Sequence, residues 1–472
     1  MRKCLSVWML LCGLSVFCPA QSLDEVIRLA QDSAITAFQS QYEYTYYQER
    51  HAQFEALRKP QLSLNVVPNY MRMVNDLSRD YVYIRNYDRL STAAQIKLSQ
   101  KVLPLGGEAY ASTHFIWTEY LGKDLFERPR DFVVAPIVVG YRQPLVGYNA
   151  YRWEKIAEDE RMEAARKQHE YELHLIAEEA TRRYFRLAIA QGRLVMCERN
   201  KQTADTLYAI AREKASIAMV TLAELRSLEL QLLNADNALL SARNEEHLAR
   251  ESLMAYLRIG RNSGFIGDHL SVPEDVKPLR MSDEDALELA RANSAVLQKQ
   301  RTALADARHQ EVKARREAGV KVGVDLNVGM EQMGTFVEAV TTPQLYVLGA
   351  VTVSVPIIDH GAGRKGYAAA TAWKSREEQA LKEAERALAE DVSTTLDNLR
   401  SRQLMLAHTS EAVALADDVF QITADNYANG LCDINTYSLA QSRRDDAYNQ
   451  HLTALANYWT TYYHLLTLTQ HE

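Results

Sequence analysis

Apolar and polar positions alternate in short runs along the chain, and each run gives way to a long helical pattern. Leu62, Leu64 and Val66 alternate with Gln61, Ser63 and Asn65. That period of two is the mark of a half-buried strand. Val351-Thr-Val-Ser-Val355 alternates in the same way and breaks at Pro356. A turn at Asp359-His-Gly-Ala-Gly-Arg364 follows, and then no Pro or Gly occurs between Tyr367 and Asn429. The pattern predicts one helix over 367–429, on the order of 90–100 Å long at ~1.5 Å per residue. Val392, Leu399, Leu406, Val413, Phe420 and Tyr427 fall at seven-residue steps within it, the spacing of a coiled-coil seam. The flanking positions Leu388, Thr395, Arg402, Thr409, Ala416 and Thr423 are more polar, and this second stripe is expected to face water.

The same order of elements occurs twice. Ser22-Leu-Asp-Glu25 is a capping-box-like helix entry, and Ser282-Asp-Glu-Asp285 repeats it 260 positions on. Leu289-Ala290 repeats Leu29-Ala30, and Val322, Val324 and Leu326 repeat Leu62, Leu64 and Val66 at the same offset. Further along, Gln143-Pro144-Leu145 and Val355-Pro356-Ile357 each precede a turn ending in arginine, Arg152 and Arg364, now 212 positions apart. The chain therefore reads as a tandem helix-strand-strand-helix-helix repeat. The first copy covers 21–260, with strands about 60–70 and 132–143 and long helices over 150–216 and 222–259. The second covers 281–472, with strands about 320–330 and 345–356 and helices over 367–429 and 434–469. A Gly- and Pro-containing linker, 261–280, joins them. A single helix is expected from the first cap to about Leu57, where Pro60 ends it. The change of offset from 260 to 212 leaves 48 extra residues in the first copy. They read as an inserted hairpin over about 91–131, turning at Pro104-Leu-Gly-Gly107. The pattern leaves open whether that hairpin joins the other strands or folds over one end.

Composition adds location. Residues 1–20 have the build of a secretory signal peptide: Arg2 and Lys3, an apolar core from Leu5 to Phe17, and small residues at Cys18 and Ala20. Phe17 is bulky for lipoprotein processing at Cys18. Cleavage after Ala20 removes Cys4, Cys12 and Cys18 and shifts the net charge from −7 to −9, leaving Cys197 and Cys432. No disulfide framework is expected. The acidic balance lacks the electrostatic footprint of a nucleic-acid binder. The remainder has no long apolar run, so membrane entry would require a closed β-barrel. The 25 Tyr against 10 Phe suit interfaces and wet channel walls.

Candidate chemistry is thin. Gly361-Ala-Gly363-Arg-Lys-Gly366 matches the dinucleotide fingerprint, but a helix of more than sixty residues follows it and no parallel strand with a terminal acid does. The glycines are expected to permit a sharp strand-to-helix turn. His169 and His174 are five apart, not the four that place two zinc ligands on one helical face; both are expected to be solvated. No catalytic arrangement, metal or cofactor is predicted. At the other end of the long helix, Asn429-Gly430 is a C-cap, Asp433 an N-cap for the next helix, and Leu431 and Ile434 are apolar residues at a hairpin tip.

The signal peptide, the duplicated element order, the Tyr427-x-x-Gly430 hairpin entry and the two Pro-marked strand exits resemble the TolC family of outer-membrane efflux proteins. The resemblance extends from about Ser22 to Thr469. It implies a mainly α protein with a transmembrane β part, a homotrimer in which each chain gives four strands to a twelve-stranded outer-membrane β-barrel continued by a long periplasmic α-barrel. It implies a passive exit duct for efflux or secretion, not an enzyme. The implied partners are a periplasmic adaptor (membrane fusion) protein, an inner-membrane pump of the resistance-nodulation-division or ABC type, and outer-membrane lipid. Ser216, Thr221, Tyr427, Gly430, Leu431, Asp433 and Ile434 map to the periplasmic tips, which in the family contact the adaptor and close the pore. Pro144, Pro356, Gly361 and Gly363 map to the barrel-to-helix turns. Some family members carry acidic residues three apart after the second tip. Thr436 and Leu439 stand there in this chain, so an acidic ring would have to use Asp433 or Asp425.

Overall fold

A computed structural model of the chain describes residues 22–73, 87–102, 104–121, 130–146, 148–217, 220–260, 270–274, 281–429 and 431–470. The expected signal peptide, most of the 261–280 linker and Gly430 lie outside them. The first copy of the repeat holds α1 (Leu23–Ser33), α2 (Ile35–Leu57), β1 (Gln61–Met73), β2 (Tyr87–Val102), β3 (Gly107–Leu121), β4 (Arg130–Val146), α3 (Ala150–Ser216) and α4 (Leu222–Leu257). The second holds α5 (Asp283–Asn293), α6 (Ala295–Glu317), β5 (Lys321–Gly334), α7 (Phe336–Thr341), β6 (Gln344–Ser354), α8 (Ala362–Ala428) and α9 (Ile434–Thr469). Among the described residues no helix is long and apolar enough to cross a membrane.

The start of each copy is set by its cap. Ser22 accepts from the Glu25 N–H while Glu25 reaches back to the Ser22 N–H, and Ser282 accepts from the Asp285 N–H. The expected single helix to Leu57 is in fact two. Ala34 takes an extended backbone (φ −64°, ψ 144°) and divides α1 from α2, and Ser294 divides α5 from α6 at the matching place. Both breaks are buried, and neither carries Pro or Gly, so nothing in the local sequence announces them.

The chain forms two compact units, and neither coincides with a copy of the repeat. One comprises the segments up to Glu43, 167–295 and from Glu385 on; the other comprises 44–166 and 296–384. The chain passes from one to the other within α2, α3, α6 and α8.

The first unit is helical. Its core joins Val26 and Ala30 of α1, Tyr184 and Leu187 of α3, Leu253 and Leu257 of α4, Leu396 and Leu399 of α8, and Leu455, Tyr458 and Trp459 of α9. The segment 270–274 is pinned to it: the Tyr184 hydroxyl donates to the Ser271 carbonyl at 2.6 Å, and Trp459 Nε1 donates to the Pro273 carbonyl at 3.2 Å. The heptad seam of α8 is buried at Val392, Leu399 and Leu406 and half-buried at Val413, Phe420 and Tyr427. The flanking stripe does not face water as expected. Thr395 is buried, Arg402 donates to the Asn457 carbonyl of α9, and Thr409 meets His451 of α9. Thr409 also donates its hydroxyl to its own helix, at the Leu406 carbonyl, which lets a polar stripe pack without an unmet donor.

The second unit is built on one antiparallel sheet in the order β1-β2-β3-β4-β5-β6. The inserted hairpin is strands β2 and β3, and it sits between β1 and β4, paired to both. This corrects the four strands per chain that the resemblance implies: among the described residues there are six, in one continuous sheet. The ladder bulges within β3–β4 and twice within β4–β5, once at Pro144. Bulges bend a strand and increase its twist.

Candidate functional site

Strand register sorts the sheet into two unlike faces. One row runs Leu62, Leu98, Ala111, Val139, Val328 and Val347 across all six strands. Leu62 is 72% exposed and Val347 74% exposed, so the face is both apolar and uncovered. The next row belongs to the opposite face and runs Gln61, Ser99, Tyr110, Gly140, Asn327 and Leu348. Polar groups on this second face link adjacent strands and also reach from β3 across β4 to β5. Asp325 accepts from the Tyr110 hydroxyl at 3.1 Å and from Arg142 Nε at 3.0 Å. Lys97 pairs with Glu108 at 3.0 Å, and His114 with Glu331 at 3.1 Å. Gly140 is there because Tyr110 lies over it: an added Cβ would fall 2.4 Å from the ring. A third feature is aromatic. Phe115, Phe132 and Phe336 form a chain with centroid spacings of 5.9 and 5.5 Å. The alternation is legible in the sequence but the ladder is not; its one sign is Asp325 and Asn327 set between Val324, Leu326 and Val328.

The strand-to-helix bends differ in detail from expectation. Pro144 lies inside β4, at its bulge, not beyond the strand end. Pro356 follows the end of β6. The sharp turn falls at His360 (φ +49°) and Gly361 (φ +81°), the left-handed region that glycine enters freely. Gly363 is not part of the bend. It stands in the first turn of α8 against Ala318, 2.8 Å from that methyl if a Cβ were added. The Asp359 carboxylate accepts from the N–H groups of Gly361 (2.9 Å) and Gly363 (3.1 Å), which holds it below the usual carboxylate range. A phosphate would need those same donors. With a 67-residue helix behind it and an all-antiparallel sheet before it, the glycine motif is a turn.

At the far ends of α3 and α8 the chain reverses through two helical hairpins. Thr221 caps α4 by accepting from the Glu224 N–H, and Asp433 caps α9 by accepting from the Thr436 N–H at 2.9 Å. These residues are 212 positions apart and do the same work in each copy. The Asp433 carboxylate is held below its ordinary range by the Thr436 hydroxyl and N–H. Ser216 ends α3 and turns its hydroxyl back to the Glu213 carbonyl. Leu431 is exposed, Ile434 half-buried, and the Leu431 N–H bonds the Asn426 carbonyl at 2.8 Å to close α8.

Tyr427 is brought to Tyr437, with ring centroids 5.2 Å apart. Burial pushes the Tyr427 hydroxyl up, with Tyr437, Cys432 and Glu224 adding to it. Tyr437 also packs at a tilt against Phe420, over which Arg444 lies at 4.0 Å. Polar links tie the hairpins together: Asp445 bonds Arg444 and Asn200, Gln441 bonds Asn200, and Gln231 donates to Ser438. The Tyr448 hydroxyl donates to Asp417 at 2.6 Å. None of these network residues was singled out from the sequence, because isolated polar residues on a helix look solvated until a partner helix is placed. His169 is likewise not simply solvated; its Nδ1 meets the buried Ser40 hydroxyl at 2.7 Å. Among the described residues, no group of three or more His, Cys, Asp or Glu is placed to hold a metal ion.

No protein-family model matches the chain, and no curated protein matches it in sequence. Solved structures do. VceC, an outer-membrane protein of Vibrio cholerae, superposes with a TM-score of 0.67 at 12% identity, covering 95% of each chain. The chain has the outer-membrane channel fold. The CmeC outer-membrane channel of Campylobacter jejuni gives 0.68 at 13% identity, over 95% of this chain and 86% of its own. The open state of the MtrE outer-membrane channel of Neisseria gonorrhoeae gives 0.62 at 14% identity, over 95% and 88%. At these identities the likeness is one of fold. In this fold the two-faced sheet and the long helices are the β-domain and the helical-barrel part.

Proposed function

We propose that the chain is one subunit of a homotrimeric outer-membrane duct through which cargo leaves the cell. Its sheet forms part of a lipid-embedded barrel and its helices lie in the periplasm. The observation that carries this reading is the row from Leu62 to Val347, an exposed apolar band crossing six strands with a polar ladder behind it. Water disfavours so large a contiguous apolar face; lipid favours it, and a polar interior suits a wet pore. The fold likeness to outer-membrane channels supports the same conclusion.

The duct is passive and works with a periplasmic adaptor and an inner-membrane pump of the resistance-nodulation-division or ABC type. Its helical tips, with Tyr427, Leu431, Asp433, Ile434, Ser216 and Thr221, are where it meets the adaptor and where it closes. The capped hairpins and the Tyr427–Tyr437 contact make these tips ordered structures that opening would have to rearrange. Expression of the full chain in a Gram-negative host tests the reading. The duct predicts recovery in the outer-membrane fraction and a trimer in detergent with heat-sensitive migration. A water-soluble monomer in the periplasm contradicts it.

A further inference from the structure

The number of strands each chain contributes sets the width of the pore. Resting on the outer-membrane trimer reading above, we infer that β1 of each copy pairs with β6 of the next, and that three copies close one eighteen-stranded barrel. A four-strand contribution would close twelve.

Three observations carry this. First, β2 and β3 are interior to the sheet. The β1–β2 ladder runs from Gln61↔Ser99 to Met73↔Tyr87, and the β2–β3 ladder from Val102↔Gly107 to Asp88↔Leu121. Folding this hairpin aside would break two full ladders, β1–β2 and β3–β4. Second, the two outer strands lack the devices that protect an edge exposed to water. Edges are usually blunted with charge. Here β1 carries one charged residue, Arg72, and β6 none, whereas β2, β4 and β5 carry three or four each. Pro68 of β1 is the one interruption, since it offers no N–H to either neighbour. Unpaired edges cannot remain open within lipid, where every backbone polar group needs a partner. Third, both edges present apolar side chains on the same face. Leu62, Leu64 and Val66 of β1 and Val347, Val351 and Val353 of β6 are all exposed on the apolar side. Their junction would continue the band without a break in its alternation.

Six strands fall short of the smallest single-chain barrels, which have about eight, so closure requires further copies. With strands ~4.8 Å apart and tilted by ~40°, eighteen strands give a backbone diameter of about 36 Å, and twelve about 24 Å. The wider lumen would be lined by the Lys97–Glu108, Arg142–Asp325 and His114–Glu331 pairs.

Electron microscopy of the detergent-purified assembly counts the strands directly. Three copies in an eighteen-stranded barrel is the expected result. A membrane-embedded trimer with twelve strands and the 87–121 hairpin outside the barrel overturns this inference and leaves the duct intact, and a twelve-stranded dimer overturns it too. A chain that never enters the membrane overturns both. Cross-linking provides a second readout. With Cys197 and Cys432 replaced by Ser, Leu64→Cys is combined in turn with Val347→Cys, Val351→Cys or Val353→Cys. At least one pair is expected to give covalent dimers and trimers under oxidation. Failure of all three in a folded assembly contradicts the β1–β6 junction.

Discussion

Gly363, at the start of the 67-residue helix α8, lies against Ala318, just past the end of α6; a Cβ on Gly363 would sit 2.8 Å from the Ala318 methyl. Neither group can swing away, so Gly363→Ala forces a backbone shift. Overpacking of this kind costs about 1–3 kcal/mol, more than the gain in helix propensity of up to about 1 kcal/mol. Gly363→Ala is therefore expected to lower the unfolding temperature, and adding Ala318→Gly to restore it. Gly366, three residues on, has nothing within 4 Å of an added Cβ. There Gly366→Ala is expected to stabilise, by up to about 1 kcal/mol. Thermal unfolding of the three variants checks the opposed signs.

The tip hairpins give a prediction about gating. The Tyr427 ring packs at a tilt against Tyr437, which in turn packs on Phe420 beneath Arg444. If this aromatic cluster holds the tip closed, Tyr427→Ala raises the mean single-channel conductance in planar bilayers. Tyr427→Phe keeps the ring and leaves it unchanged. An unchanged conductance in Tyr427→Ala reduces Tyr427 to packing.

A pH dependence follows from His464. Its Nδ1 meets Glu178 at 3.1 Å and its Nε2 lies 3.9 Å from Asp391. Arg182 also pairs with Glu178, and Tyr171 lies within the field of Glu178 and Asp391. The bond to Glu178 raises the His464 pKa above its ordinary value. A raised folded-state pKa means stability that is fully present below about pH 6.5 and fades as pH rises through the folded value. Burial lowers the pKa of His309 and His451, so their contributions run the other way. The readout is thus a difference. Relative to His464→Gln, the wild type should hold a larger stability advantage near pH 6 than near pH 8. An advantage independent of pH would contradict the ion pair.

Much of this fold was legible in the chain because it is written twice. Ser22 and Ser282 cap equivalent helices, and Thr221 and Asp433 begin equivalent returning helices. Alternation at Leu62–Val66 and Val351–Val355 marked strands that the sheet contains. What could not be read depended on placement. The breaks at Ala34 and Ser294 come from packing, not from a helix-breaking residue. The destination of the 87–121 hairpin depended on register with β1 and β4. The Thr395–Thr409 stripe looked solvated because threonine hydroxyls can satisfy themselves on their own helix. At the tip, the Asn200–Asp445 link joins residues far apart in sequence, and the Tyr427–Tyr437 contact forms only once the chain has reversed between α8 and α9, so no local pattern signals either.

The position of the extra hairpin suggests a deletion. Register carries Gln61 through Ser99 and Tyr110 to Gly140, so β1 and β4 share the same facing. Excising residues 87–121 lets β1 pair with β4 directly, with apolar side chains still on one side. The shortened chain is expected to remain in the outer-membrane fraction and to assemble with four strands per copy. Its barrel should be about two-thirds of the original width. A soluble or degraded product would show that β2 and β3 are needed for the sheet to form at all.

The central claim is that this chain makes a water-filled path through a membrane. Its most direct test is current through the purified, folded trimer in a planar lipid bilayer. Discrete, stepwise ion conductance that appears only with inserted protein is the expected result. A correctly folded trimer that inserts into the bilayer and passes no resolvable current, with Tyr427 intact or replaced by Ala, would contradict it.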